Sequence, residues 1–217
     1  LRQRKARLGY TIAIQDLRGI AMDIGALFKN SWEKFSANIG MGIVIFIVGA
    51  IVAGLAAALT FGIVSVPIYA GIFKAMRTIQ RGGNPDFGDI FSEFSNFAKW
   101  FQLWLLGLVI FVVIFVCSLV LNLIPVIGQL TEVVIGLGLG FFLFYLMPLM
   151  LEQNMGAFDA AKASFDYVKS NIGMLVGPIL LTLIVSNVFT IITGPWMAVQ
   201  IWCIYDDTMG AAQPTGV

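Results

Sequence analysis

The chain has 217 residues, of which 59% are hydrophobic and only 12% charged, with a mean hydropathy of +0.92 and a formal net charge of +1. Soluble domains carry about a quarter charged residues, so lipid is the expected solvent and the charge balance points away from nucleic acid. There is no histidine, the commonest general base and metal ligand, and no Ser/His/Asp, Cys/His or metal-ligand set. The sequence therefore predicts no catalytic residue, no cofactor and no metal site.

All 13 Lys and Arg residues fall in three intervals, Arg2 to Lys34, Lys74 to Lys99 and Lys162 to Lys169. The stretches Phe35–Phe73 and Ser170–Tyr205 carry no charge, and Trp100–Leu151 carries only Glu132. A membrane-crossing helix needs about 20 apolar residues. Each long stretch holds two, which predicts an all-α polytopic fold with about six transmembrane helices.

Residues 1–13 form a basic N-terminal segment. No apolar run follows until the first long stretch, which argues against a retained signal peptide. The first unit, 14–82, opens on an amphipathic helix with Ile14, Leu17, Ala21, Ile24, Phe28 and Phe35 on one face. Asp16, Asp23, Lys29, Glu33 and Lys34 lie opposite. Two spans follow, turning near Thr60-Phe61-Gly62. The first, Ile43–Leu59, is rich in Ala and Gly and is expected to be buried on all sides.

In the second unit, 83–152, Gly82-Gly83-Asn84-Pro85-Asp86 reads as a turn capping a helix. Phe87, Ile90, Phe91, Phe94, Ala98 and Phe101 form its apolar stripe, opposite Asp89, Ser92, Glu93 and Asn96. The carboxylates of Asp86, Asp89 and Glu93 read as solvated surface charge. The span pair here breaks at Leu123–Gly128. The third unit, 153–207, sets Phe158, Ala161, Phe165 and Val168 against Asp159, Lys162, Asp166 and Lys169. Two short spans follow, with a turn between Ser186 and Pro195. A turn at Thr193-Gly194-Pro195 would instead leave a re-entrant last segment. Residues 208–217 form a tail.

The units read as an internal repeat of one helix plus one hairpin. Ser31-Trp32-Glu33 with Asn38-Ile39-Gly40-Met41 matches Ser164-Phe165-Asp166 with Asn171-Ile172-Gly173-Met174 at one constant offset. Pro67, Pro148 and Pro195 each fall in a second span, where proline frees a carbonyl and kinks the helix. With an even number of spans, all basic loops and both termini share one face, which the positive-inside rule makes cytoplasmic. Trp100, Trp104, Trp202 and Tyr205 read as an interfacial belt, and Cys117 and Cys203 as small buried hydrophobes.

Glu132 is the one charge inside the central stretch, with Gln129 beside it. Asn122, Asn187 and Gln200 join them either along a polar path or as interhelical hydrogen-bond partners. Gly136 with Gly140, and Gly173 with Gly177, have the small-xxx-small spacing that lets helices approach closely.

The stretch Tyr145-Leu146-Met147-Pro148-Leu149-Met150-Leu151-Glu152-Gln153-Asn154-Met155-Gly156, then Ala160-Ala161-Lys162-Ala163-Ser164 and Asn171, resembles a diffuse bacterial group. That group comprises six-span inner-membrane proteins of unknown function, including the membrane region fused to some glycerophosphodiester phosphodiesterases. The resemblance implies a bacterial inner-membrane location and the helix-plus-hairpin layout. It brings no catalytic residues, and the soluble phosphodiesterase domain is absent from this sequence. The expected role is a non-enzymatic scaffold or accessory subunit, with membrane lipids, further copies or other membrane subunits as partners. The alternative is a transporter or channel for a small solute or lipid with Glu132 in its pathway.

Overall fold

The computed structural model describes residues 23–121, 125–185 and 190–209, with side chains described at 23–119, 134–185 and 191–209. Every regular element among the described residues is helical. In chain order they are α1 (Ile24–Ser36), α2 (Ile39–Thr60), α3 (Ser65–Gln80), a 3-10 helix η1 (Phe87–Asn96) and α4 (Phe97–Leu121). Then come α5 (Pro125–Phe142), α6 (Leu146–Glu152), α7 (Ala157–Ser170), α8 (Ile172–Val185) and α9 (Thr190–Thr208).

Local chemistry sets the boundaries. Asp23 caps α1 by accepting from Ala26 N at 3.0 Å, satisfying one of the free N–H groups of a helix start. The α2–α3 turn falls where the sequence places it. Phe61 adopts φ 51° and Gly62 φ 84°, the left-handed pair that reverses the chain. Thr60 Oγ1 accepts from Val64 N at 3.2 Å, and Trp104 Nε1 donates to Phe61 O at 3.0 Å. Asp86 and Asp89 form the expected cap of η1: Gly88 N donates to Asp86 Oδ1 at 2.7 Å and Asp86 N to Asp89 Oδ2 at 3.0 Å.

Among the described residues, three helices are long and apolar enough to cross a membrane: Ile39–Thr60, Phe87–Leu119 and Val134–Glu152. A fourth is obtained if α7 and α8, bent by 114° at their junction, count as one span. Helices α3 and α8 have 16 and 14 residues, short of the roughly 20 a crossing needs. Helix α9 runs continuously through Pro195, so no turn occurs at Thr193-Gly194-Pro195.

The packing repeats a simple arrangement. Helix η1 lies on α3, α7 lies on α6, and α1 lies on α9. Thus η1 and α7 each pack on the helix that precedes them in the chain, and α1 packs on α9. The buried register agrees between the two matched copies. Leu27, Ser31 and Phe35 of α1 occupy the positions of Ala160, Ser164 and Val168 of α7.

Several positional expectations change. Helix α2 is buried along a single seam, Gly42, Ile45, Gly49 and Ala53, while Ile51, Leu55 and Leu59 are exposed. The enclosed helix is α3, which buries Ile68, Ala70, Ile72, Ala75, Met76 and Ile79 against neighbours on several sides. Small residues permit this. A Cβ on Gly49 would lie 2.5 Å from Ile72 Cδ1, and one on Gly71 would overlap the Ile90 carbonyl. In lipid such close approach supplies the packing that hydrophobic burial supplies in water.

The amphipathic stripes are also turned. A 3-10 helix repeats every three residues, so Ile90 and Glu93 share one buried row, while Phe91, Phe94 and Phe97 share the exposed row beside it. In α7 the small residues Ala157, Ala160 and Ser164 face inward, and Phe158 and Phe165 face out. Trp100, Trp202 and Tyr205 are fully buried, not interfacial. Cys117 is exposed whereas Cys203 is buried.

Pro67 and Pro148 sit in the first turns of α3 and α6, where a missing N–H costs little, so neither kinks a helix interior. The break between α5 and α6 is satisfied from outside. Ser164 Oγ donates to Phe142 O at 2.7 Å and accepts from Tyr145 N at 3.2 Å.

Two substitutions test this packing by thermal unfolding in detergent. Gly71→Ala should cost about 1–3 kcal/mol or more by overpacking against backbone, whereas Gly54→Ala, in open space, should be neutral or stabilising. Ser164→Ala should cost about 1–3 kcal/mol, because two buried backbone groups lose their partner.

Candidate functional site

The densest polar cluster joins the ends of α3, α6 and α9. Each of these helices contains a proline, and each supplies one charged residue: Arg77, Glu152 and Asp206. The Arg77 side chain is 8% exposed. Its Nη1 and Nη2 donate to Asp206 Oδ2 and Oδ1 at 2.7 and 2.8 Å, a two-pronged pairing that fixes orientation as well as charge. Nε donates to Glu152 Oε1 at 3.0 Å, and Nη1 also reaches Gln80 Oε1 at 2.9 Å. Gln80 Nε2 closes a loop back to Asp206 Oδ2 at 2.9 Å. Arg81 Nη2 holds the other side of Glu152, at 2.9 and 3.1 Å from its two oxygens.

The Arg77 guanidinium also lies 4.4 Å from the centre of the Trp202 ring, whose Nε1 donates to Phe73 O at 2.9 Å. A guanidinium does not deprotonate in a protein, and here carboxylates hold it from two sides. Arg77 is a permanent cation with permanent partners.

A second shell of hydroxyls ties the end of α9 to α5–α7. Tyr145 Oη and Thr208 Oγ1 are 3.0 Å apart, Tyr167 Oη donates to Thr208 O at 3.1 Å, and Gln153 Nε2 donates to Tyr205 Oη at 3.2 Å. Beside the hub, a cavity of about 180 Å³ is lined by Lys74, Arg77, Arg81, Glu93, Glu152 and Trp202. Glu93 is buried and salt-bridged to Lys74 at 2.8 Å, so it is not the solvated charge its sequence position suggests.

The sequence-predicted polar residues do not converge here. Asn122 and Asn187 lie outside the described residues, and Gln129 and Glu132 fall on α5 with their side chains outside the described set. Gln200 is buried on α9, and its Nε2 has no hydrogen-bond partner among the described residues. Of the packing glycines, a Cβ on Gly140 would lie 3.5 Å from the Leu183 methyls and one on Gly177 2.9 Å from Ile24 Cδ1. Gly136 and Gly173 face open space. Among the described residues, no group of three or more His, Cys, Asp or Glu could hold a metal ion.

The hub's chemistry is therefore electrostatic fastening: it holds three helix ends at a fixed spacing. Sequence reasoning passed over Arg77, Glu152 and Asp206, yet Glu152 and Asp206 each close an apolar run that contains a proline, and Arg77 lies about one helical turn beyond the end of another. No family model, no curated protein and no solved structure matches this chain.

Removing one partner of a buried pair costs about 3–5 kcal/mol because the other charge is stranded. Arg77→Met should show a loss of that size in thermal unfolding, with Asp206 and Glu152 left unpaired. Adding Asp206→Leu to Arg77→Met should restore part of it. A double variant as unstable as the sum of the singles would show that the two residues act independently.

Proposed function

We propose that this protein is a non-enzymatic, multi-pass membrane scaffold or accessory subunit, built from three helix-plus-hairpin units closed around the Arg77 hub. The observation that carries the reading is the contrast between the two parts of the molecule. The ends of α3, α6 and α9 are locked by paired charges, while α4 leaves Phe111, Val112, Val113, Phe115, Val116 and Leu119 exposed in one continuous sleeve. Exposed apolar surface on this scale is contact surface for lipid or for partner helices. The fixed hub holds those surfaces in place and leaves no free reactive group at its centre.

In this reading the chain crosses the membrane six times, by α2, α3, α4, α5 with α6, α8 and α9. The short helices are sheltered by longer neighbours, α3 between α2, η1 and α9, and α8 against α5. The matched registers of α1 and α7 support duplication of one unit. The charge distribution places the hub and both termini on the cytoplasmic side of a bacterial inner membrane, in keeping with the layout the chain resembles. Transport of a small solute or lipid is the second reading. Its specific support is the buried Nε2 of Gln200, unpartnered among the described residues and a costly group to leave unsatisfied in a purely structural helix.

Single cysteines placed at Thr60, Gly82 and Gln153, in a chain lacking Cys117 and Cys203, test the topology. An impermeant maleimide should label Gly82→Cys and Gln153→Cys from one side and Thr60→Cys from the other. Labelling of all three from one side would overturn the six-span layout. Gentle extraction into native nanodiscs should yield a complex with further copies or another subunit, and an isolated monomer would count against the scaffold role. Flux into reconstituted vesicles that falls with Glu132→Gln or Gln200→Leu would favour transport instead.

A further inference from the structure

Outside the hub, one group of charges does not balance. Lys74 and Lys99 share a single carboxylate, Glu93, whose Oε1 is 2.8 Å from Lys74 Nζ and whose Oε2 is 3.9 Å from Lys99 Nζ. Two cations against one anion leave one surplus positive charge. The shortfall falls on Lys99, because 3.9 Å is beyond hydrogen-bond reach while Lys74 makes a true charge-assisted bond. The Lys99 side chain is only 14% exposed. Its two hydrogen-bond acceptors among the described residues are neutral, Met150 O and Asn154 Oδ1, each at 3.2 Å, and the Trp100 ring centre lies at 4.6 Å. A sheltered ammonium without its own counter-charge is costly.

The surplus charge faces a space able to hold a counter-ion. Lys99 lines a groove of about 400 Å³ together with Gly156 and with Ser95, Asn96, Gln102 and Asn154, whose side chains carry hydroxyl and amide donors. Gly156 caps α7 without a side-chain bond, so first-turn N–H groups of that helix add donors at the same rim. Any larger residue there would collide with Gln102, since a Cβ on Gly156 would lie 2.9 Å from its Oε1. Asp159 brings a carboxylate to the edge, 3.8 Å from that Cβ position. One surplus positive charge beside one rim carboxylate suits a monoanion better than a dianion. Phe97 and Phe101, next in sequence to the lining residues Asn96 and Gln102, are 40% and 37% exposed.

We propose that this groove binds a phosphate group carrying one negative charge, with Lys99 as its counter-charge and Gln102 and Asn154 as hydrogen-bond donors. A phospholipid headgroup at the membrane interface and a soluble phosphate share that chemistry. The lipid source rests on the membrane reading above; phosphate binding itself does not.

The test uses the purified, delipidated full chain in detergent, titrated with phosphatidylglycerol, with a diacylglycerol of the same acyl chains, and with inorganic phosphate. Bound species are read by native mass spectrometry. Phosphatidylglycerol should be retained and diacylglycerol should not. Lys99→Met should weaken retention about tenfold or more, the loss of one charge-assisted bond, and Lys99→Arg should preserve it. Equal retention of the two lipids, or a folded Lys99→Met variant that binds as tightly as the parent, overturns the proposal. Should Lys99→Met fail to fold, Gln102→Leu decides: its side chain makes no hydrogen bond to another described residue, so unchanged affinity overturns the site and weakened affinity supports it. Displacement of the lipid by inorganic phosphate, lost in Lys99→Met, supports the site and assigns its ligand to the soluble source.

Discussion

The constraint on which the architecture depends is the burial of one guanidinium. Arg77 cannot shed its charge, so a place for it inside a helix bundle exists only where several acceptors converge on it. Asp206 and Glu152 provide that convergence from α9 and α6, and Gln80 fills the remaining angle. Because each acceptor belongs to a different hairpin, satisfying one side chain fixes three helix ends at once. The same guanidinium stacks on Trp202, whose indole N–H reaches back to α3, so the pairing geometry and the packing geometry confirm one another. A buried ion pair adds little net stability, but its partial loss is severe. Such a cluster selects one arrangement of the hairpins over looser alternatives.

Much of the outline was legible in the chain. Helicity, the turn at Phe61-Gly62, the Asp86 cap and the correspondence of Ser31 with Ser164 all follow from local rules acting within a few residues. The hub was not legible, because Arg77 and Asp206 meet across 129 residues and no periodicity encodes that meeting. The inward face of the heading helices was misjudged for a different reason. Sequence reading assumes that large apolar residues turn toward the protein, but in lipid the outside is as apolar as the inside. Contact then goes to the smallest residues, as at Ala157, Ala160 and Ser164, and phenylalanines are free to point outward. Glu93 was misplaced by assuming a 3.6-residue period in a segment that repeats every three.

Ser164 and Ser31 each donate to a carbonyl and accept from an N–H. Ser164 bridges the gap between α5 and α6, and Ser31, its counterpart in the first unit, donates to Phe28 O and accepts from Trp196 Nε1 beside Pro195. Both are fully buried. A hydroxyl that donates and accepts at one atom is well suited to a site where a carbonyl and an N–H are both left over. At both matched positions the serine therefore joins its own helix to another part of the molecule, α1 to α9 and α7 to the α5–α6 break.

The closure of α1 onto α9 has a consequence in time as well as in space. During synthesis Arg77 emerges 129 residues before Asp206, an interval of about 6–26 s at 5–20 residues per second. Over that interval the guanidinium has at most Gln80 and, later, Glu152 for company, and α1 has no last helix on which to lie. Until α9 is made, Arg77 lacks its two-pronged partner and α1 lacks the helix on which it packs. A chain truncated before α9 would be an assembly arrested at its most exposed stage, a natural substrate for membrane quality control.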